Sequence, residues 1–241
     1  MRIRITIIAF LCLFLIQCSS IPSSIKKDKV PAIKKVGCIS LLGDKISWVN
    51  RAKATRKFPD TQHRLHDWNV DAFVKKKVAE ELQEKGTIQY VDVSYDPESL
   101  DKVYTKVRGY PYWGYDIQLI QEKLTEIVKA DSVDAIILVI KSVTDKYGLR
   151  FAGYGVCSYP YLFARDTELF VLTRMVVLDA KTMKPLAQRY AMEFKEIKNE
   201  FWNRNFGEVD EQNKTILKEK IKAVLNEQIP WLMKKVGLEG R

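Results

Sequence analysis

His63 and His66 are the only imidazoles in this chain, spaced His-x-x-His with Asp60, Asp67 and Asp71 nearby. One helical turn would put both rings on one face, and an adjacent carboxylate would supply a third zinc ligand. No third histidine or cysteine pair completes the set, and Lys57 and Arg64 add opposing charge. The two are therefore weak metal candidates, and polar loop residues ahead of a helix are the alternative. No Gly-x-Ser-x-Gly elbow and no glycine-rich phosphate loop with a following lysine is present. No cofactor is expected, and the chain reads as non-enzymatic. A hydrolase using His63 or His66 is the competing reading. Recognition chemistry is better represented. Tyr110-Pro-Tyr112-Trp113-Gly-Tyr115 packs four aromatics into six residues, and Tyr159-Pro-Tyr161-Leu-Phe163 echoes it. Tyrosine and tryptophan anchor interfaces because they bury large areas with few rotors to freeze. They could also stack on glycan rings, or cap the sheet and bury themselves.

The amino terminus says where this chemistry is exposed. Arg2 and Arg4 precede an apolar run over residues 5–16. That run is shorter than the ~20 residues of a membrane-spanning helix and fits an export signal. It ends on Leu15-Ile16-Gln17-Cys18, which resembles the bacterial lipobox. The resemblance implies that Cys18 receives a diacylglycerol, becomes the first residue and is acylated. Gln17 is larger than the small residue of that pattern, and ordinary signal cleavage is the alternative. Arg2 and Arg4 would leave with the signal, taking the formal charge from +10 to +8. A basic surface suits anionic lipid or acidic polymers, and export argues against nucleic acid. Cys12 would be discarded, leaving Cys38 and Cys157 in an oxidising compartment. A disulfide between them would contribute about 4 kcal/mol on the chain-entropy model. Two buried free thiols are the alternative.

The elements that must position these residues follow from periodicity. Residues 19–32 are small, polar and basic, and read as a flexible tether carrying Lys26, Lys27 and Lys29. A single domain is expected over 33–241. Residues 36–42 and 45–50 read as strands joined by Gly43-Asp44 into a hairpin. Val70, Val74, Val78 and Leu82 mark an amphipathic helix capped by Asn69 or Asp67 and followed by Gly86. Glu80 and Glu81 are expected on its solvated face. A strand follows at 87–93, then a short helix from Pro97. A second amphipathic helix carries Ile117, Ile120, Leu124, Ile127 and Val128. It leads into residues 135–140, an apolar run typical of a strand buried on both faces. Strand, helix and strand in this order imply a βαβ crossover. Further strands are expected at 151–157, 168–178 and 186–194, the last two joined as a hairpin. A final helix carries Leu217, Ile221, Val224, Leu225, Ile229, Leu232 and Val236 on one face, kinked or divided at Pro230. The fold class is α/β with α+β character, a single mixed sheet with helices packed on it.

Val133-Asp134-Ala135 before the buried strand and Leu178-Asp179-Ala180-Lys181-Thr182-Met183 at the hairpin carry a further resemblance. The order of elements is similar to that of the curli secretion lipoprotein, the lipoprotein activator of peptidoglycan synthase, and the amino-terminal domain of the Tol-system β-propeller protein. Met183 stands where that group usually has glycine. The resemblance implies a non-enzymatic module of envelope assembly or maintenance. Its partners would be the membrane through the lipid anchor, an envelope protein or glycan, or further copies of itself. Ser19 after Cys18 implies the outer membrane, facing the periplasm.

Overall fold

The computed structural model describes residues 21–50, 61–65, 67–97, 99–100, 120, 122–127, 133–146, 149–161, 164–203 and 205–238. These form a mixed α/β fold with one large sheet. The strands are β1 (Lys35–Leu41), β2 (Lys45–Asn50), β3 (Thr61–Arg64), β4 (Gln89–Val91), β5 (Ala135–Lys141), β6 (Val143–Lys146), β7 (Leu149–Ala152), β8 (Tyr154–Tyr161), β9 (Ala164–Asp179) and β10 (Pro185–Ile197). Two long helices, α1 (Val70–Lys85) and α2 (Glu211–Val236), accompany them. Residues 99–100, 120 and 122–127 are also helical. Among the described residues no helix is long and apolar enough to cross a membrane.

The sheet is forked. One edge of β9 pairs antiparallel with β10 along nearly its whole length. Its other edge is shared, with β8 on residues 164–171 and β5 on residues 173–179. β5 and β8 are thus one line of strand, interrupted where the β6–β7 hairpin is extruded. Leu172 keeps the ladder continuous across that gap. Ser142 N–H donates to the Leu172 carbonyl at 3.0 Å, and Leu172 N–H donates to the Gly153 carbonyl at 2.7 Å. Gly153 closes the hairpin base in the left-handed region, φ +68°, where a side chain would be strained.

The expected hairpin between residues 36–42 and 45–50 does not form. β1 pairs parallel with β5 and β4, whereas β2 pairs parallel with β8 and antiparallel with β3. Gly43, at φ +66°, redirects the chain from one prong of the fork to the other instead of reversing it. The expected crossover does form, since β1 and β4 are parallel and α1 lies between them in sequence.

Alternation along the strands separates the cores. Ala135, Ile137 and Val139 face the main core with α1 and α2, while Ile136, Leu138 and Ile140 face a second core with Leu100, Ile120 and Leu124. A third cluster, Val49, Phe151, Cys157, Phe170 and Leu172, lies under the β6–β7 hairpin. Every side chain of β5 is buried, as its apolar run predicts. Cys38 belongs to the main core and Cys157 to the third, on opposite faces of the sheet, and both thiols are free and buried. The Cys38–Cys157 disulfide is therefore corrected to two packed thiols. Burial pushes the Cys38 thiol up to about 12, which keeps it neutral.

α2 buries the expected face and runs through Pro230 undivided. Glu81 departs from the expected solvated face. It is buried, with Lys77 Nζ at 3.3 Å. On β10 the small residues Ala187 and Ala191 face α2, and Tyr190 and Met192 are exposed. The leading segment also differs from a free tether. Ile25 is buried in the main core, its N–H donates to the Val236 carbonyl at 2.9 Å, and Gln188 N–H donates to the Pro22 carbonyl at 2.8 Å.

The β2–β8 pairing leaves no room at Gly155. A Cβ there would lie 2.0 Å from the Ser47 carbonyl oxygen and 2.7 Å from the Phe170 ring. Gly155→Ala is expected to cost ~3 kcal/mol or more, because backbone and not a flexible side chain must yield. Urea unfolding of the variant against the parent checks this.

Candidate functional site

The fork opens a cleft of about 460 Å³ where β1 passes to β2. Leu41, Gly43, Asp44 and Lys45 form one wall, and Arg64 and Leu65 another. Asn69, Asp71 and Ala72 bring the start of α1, and Pro97 and Lys141 complete it. The carboxyl ends of parallel β1 and β5 meet here, the usual location of ligand sites in α/β sheets.

Asp71 organises the site. Its Oδ1 accepts from Ser40 Oγ at 2.5 Å and from Leu42 N–H at 2.9 Å, and its Oδ2 accepts from Gly43 N–H at 3.0 Å. Asp44 returns the favour. Asn69, at the N-cap of α1, is left-handed (φ +50°) and makes no side-chain cap. Asp44 Oδ1 accepts from Val70 N–H at 3.2 Å instead, satisfying one of the helix's orphan donors. The expected cap by Asn69 or Asp67 is thus replaced by a residue from the strand link. Tyr154 donates to the Gly43 carbonyl at 2.6 Å, and Tyr95 donates to the Ser40 carbonyl at 2.8 Å. Burial dominates the electrostatics of Asp71 and pushes its carboxyl up to about 6, against the lowering pull of Ser40, Leu42 and Gly43.

Chemically, Asp71 is committed. With three donors aimed at its oxygens it is a structural acceptor rather than a general base. Asp44 is likewise engaged with backbone. Lys45, Arg64 and Lys141 line the same space with Asp44 and Asp71, so the cleft is polar and mixed in charge. Of these residues sequence reasoning offered only Asp71 as a site candidate, as a companion of the histidines, and read Gly43-Asp44 as a turn and Asn69 as a cap. No local pattern distinguishes an acid that will accept from a distant strand.

The expected site residues fare differently. Cys18, His66, Tyr110, Tyr112, Trp113 and Tyr115 lie outside the described residues. Tyr161 pairs by its backbone with Ala164, and its side chain lies outside them too. Tyr159 is half-buried against the third core. His63 lies on β3, with Nε2 2.9 Å from Thr61 Oγ1 and its ring 5.0 Å from that of Phe206. Burial holds its imidazole below the ordinary value. Among the described residues no three His, Cys, Asp or Glu side chains gather as a metal ion requires.

The fold and cleft define a mixed α/β domain with a forked sheet. No protein-family model matches the sequence, and no curated protein sequence does. Among solved structures, the chain is similar to the PelC dodecamer of Paraburkholderia phytofirmans, at 10% identity and TM-score 0.38 over 91% of this chain and 95% of that one. It is similar to protein XCC0632 of Xanthomonas campestris, at 9% identity and TM-score 0.39 over 90% and 93%. It is also similar to lipoprotein GNA1162 of Neisseria meningitidis, at 13% identity and TM-score 0.32 over 81% and 97%. These scores are too low to transfer a function, and they do not confirm the three groups that the sequence resembles.

The raised carboxyl gives a signed prediction. A folded value of about 6 against an ordinary 3.8 means that the contribution of Asp71 is fully present below about 4. It is lost as pH rises through about 6. Asp71→Asn does not titrate. Its unfolding free energy relative to the parent should therefore shift in its favour by up to about 3 kcal/mol between pH 4 and 7. Asp71→Ala, which strands the Leu42 and Gly43 N–H groups, should destabilise by ~2–4 kcal/mol at pH 7. Urea titrations at several pH values measure both.

Proposed function

We propose that this chain is a lipid-anchored, non-enzymatic interaction module of the bacterial envelope. It is held in the outer membrane through Cys18, faces the periplasm and takes part in envelope assembly or maintenance. The observation that carries the reading is the amino terminus: Arg2 and Arg4, an apolar run, and Leu15-Ile16-Gln17-Cys18, four residues ahead of Pro22. Two acyl signals suffice for stable attachment. The commitment of Asp71 to the Ser40 hydroxyl and two backbone N–H groups, and of Asp44 to a third, supports a non-catalytic role. The aromatics Tyr110, Tyr112, Trp113, Tyr115, Tyr159 and Tyr161 are the proposed contact set for an envelope protein or glycan, and further copies of the chain are a candidate partner.

One observation favours a second reading, a binding protein for a small polar ligand. The cleft carries Lys45, Arg64 and Lys141 at the carboxyl ends of β1 and β5. Calorimetric titration with muropeptides and lipopolysaccharide-core saccharides tests it. Micromolar binding that Arg64→Ala weakens tenfold or more supports it, and no heat from any of them removes it.

For the anchor, the intact mass of protein extracted from host membranes should correspond to a chain beginning at Cys18 plus acyl groups. Cys18→Ser should lose that mass and leave the membrane fraction with unmodified protein. A soluble, unlipidated parent chain would overturn the reading.

A further inference from the structure

We propose that the pole of the fold where the leading segment docks is itself a seat for an anionic phospholipid bilayer. The domain then lies against the membrane with a set orientation rather than hanging from a tether. This rests on the anchor reading and extends it to a surface.

Distance comes first. Gln188 N–H holds the Pro22 carbonyl and Val236 accepts from Ile25 N–H, with the Ile25 side chain 4% exposed. Pro22 is four steps along the chain from Cys18. At most about 14 Å separates them, from the reach of an extended chain. Screening at physiological salt acts over ~8–10 Å. Even at full extension an anchored Cys18 would hold Pro22 within about two screening lengths of the headgroups, and any bend in the link brings it closer.

Charge comes second. Several elements end at this pole, and short contacts tie them together. The Asp134 carboxylate accepts from the N–H groups of Lys34 and Lys35, both at 2.9 Å, its carbonyl accepts from Ala180 N–H, and Gln89 N–H donates to the Lys34 carbonyl. Gly237, the cap of α2, packs on Ile25. The leading segment and the start of β1 present Lys26, Lys27, Lys29, Lys34 and Lys35, all exposed. Lys181 and Lys184 extend from the β9–β10 turn, and Lys234 and Lys235 from the last turn of α2, again exposed. Among the described residues the acids at this pole are Asp28, Glu84, Asp134 and Asp179. Two of them are engaged by backbone: Asp134 as above, and Asp179 Oδ1 with the N–H groups of Lys181 and Thr182. Among the described residues the lysines are thus in clear excess over acids at this pole.

An interfacial aromatic comes third. Trp231 is 44% exposed, and Lys235, one helical turn on, sets its Nζ 5.8 Å from the centre of a Trp231 ring. Tryptophan beside lysine suits the headgroup layer, where an apolar ring and a charged tip are both solvated.

The test is amine-acylation footprinting of the full chain, extracted with its anchor and reconstituted into vesicles. One set is phosphatidylcholine alone, the other carries about 30% phosphatidylglycerol, a composition chosen to raise the surface potential. Lys34, Lys35, Lys181, Lys184, Lys234 and Lys235 should react several-fold more slowly on the anionic vesicles. Lys198 and Lys220, exposed at the far end of β10 and on the middle of α2, should not change. The protection should vanish at about 0.5 M salt. Lys181→Glu with Lys184→Glu, both on an exposed turn, should also relieve protection of Lys234 and Lys235. A chain that floats with both kinds of vesicle, with pole lysines reacting equally in each, overturns the docking and leaves the anchor standing. A chain that fails to float with phosphatidylcholine overturns the anchor. In that case protection on added anionic vesicles still supports the charged seat, and its absence overturns it.

Discussion

A buried carboxylate joins a strand to a helix, and much of the site depends on that joint. Asp71 sits in the first turn of α1 and accepts from Ser40, Leu42 and Gly43, where β1 ends. A kinked strand and a helix start both leave backbone N–H groups without partners, and burying them unpaired is costly. Here each relieves the other, because Asp44 in the strand link accepts from Val70 in the helix. The exchange sets the direction of β2, the position of α1 and the floor of the cleft together. Burial pushes the Asp71 carboxyl up to about 6. At neutral pH the joint therefore holds a buried charge, whose desolvation the three donors offset only in part.

The fork is the second organising feature. A 16-residue β9 has one edge to share, and β5 and β8 divide it. The residues between them leave the sheet as the β6–β7 hairpin and cover the third core. α2 braces the division from the other face. Buried Gln228 accepts from Thr173 Oγ1 at 2.9 Å and donates to the Val171 carbonyl at 3.1 Å, either side of Leu172. The cleft therefore lies where the ladder divides, and a buried polar bridge rigidifies that point.

These features give the fold two distinct ends. At one, the chain enters through Pro22 and Ile25, and lysines from the leading segment, the β9–β10 turn and α2 converge. About a strand length away along β1, the cleft opens beside α1. Anchoring at the first would present the second at a fixed height from the membrane, a geometry suited to a module that contacts other envelope components.

Most elements were legible in the sequence. The apolar run of β5 announces a strand buried on both faces, the four-residue repeat announces α1, and the spacing from Leu217 to Val236 announces the buried face of α2. Local periodicity reports which face is apolar, and that is settled by neighbours in the chain. The expected export signal and lipidation of Cys18 likewise rest on local patterns. The pairing of strands was not legible. Gly43-Asp44 looks like a hairpin turn, and only the β9 ladder shows that β1 and β2 lie on different prongs. The leading segment reads as solvent-exposed because its lysines are, yet one isoleucine and two backbone hydrogen bonds suffice to dock it. Cys38 and Cys157 look like a pair until the sheet puts them on opposite faces. The candidate cleft was the least legible of all. Asp71, Asp44 and Tyr154 act on atoms far along the chain, and a hydrogen bond between distant residues leaves no periodic trace. Sequence by itself determined the amphipathic faces and the α/β class. The tertiary structure alone decided the fork, the docked segment and the cleft, because each depends on which distant backbone groups find partners when water is excluded.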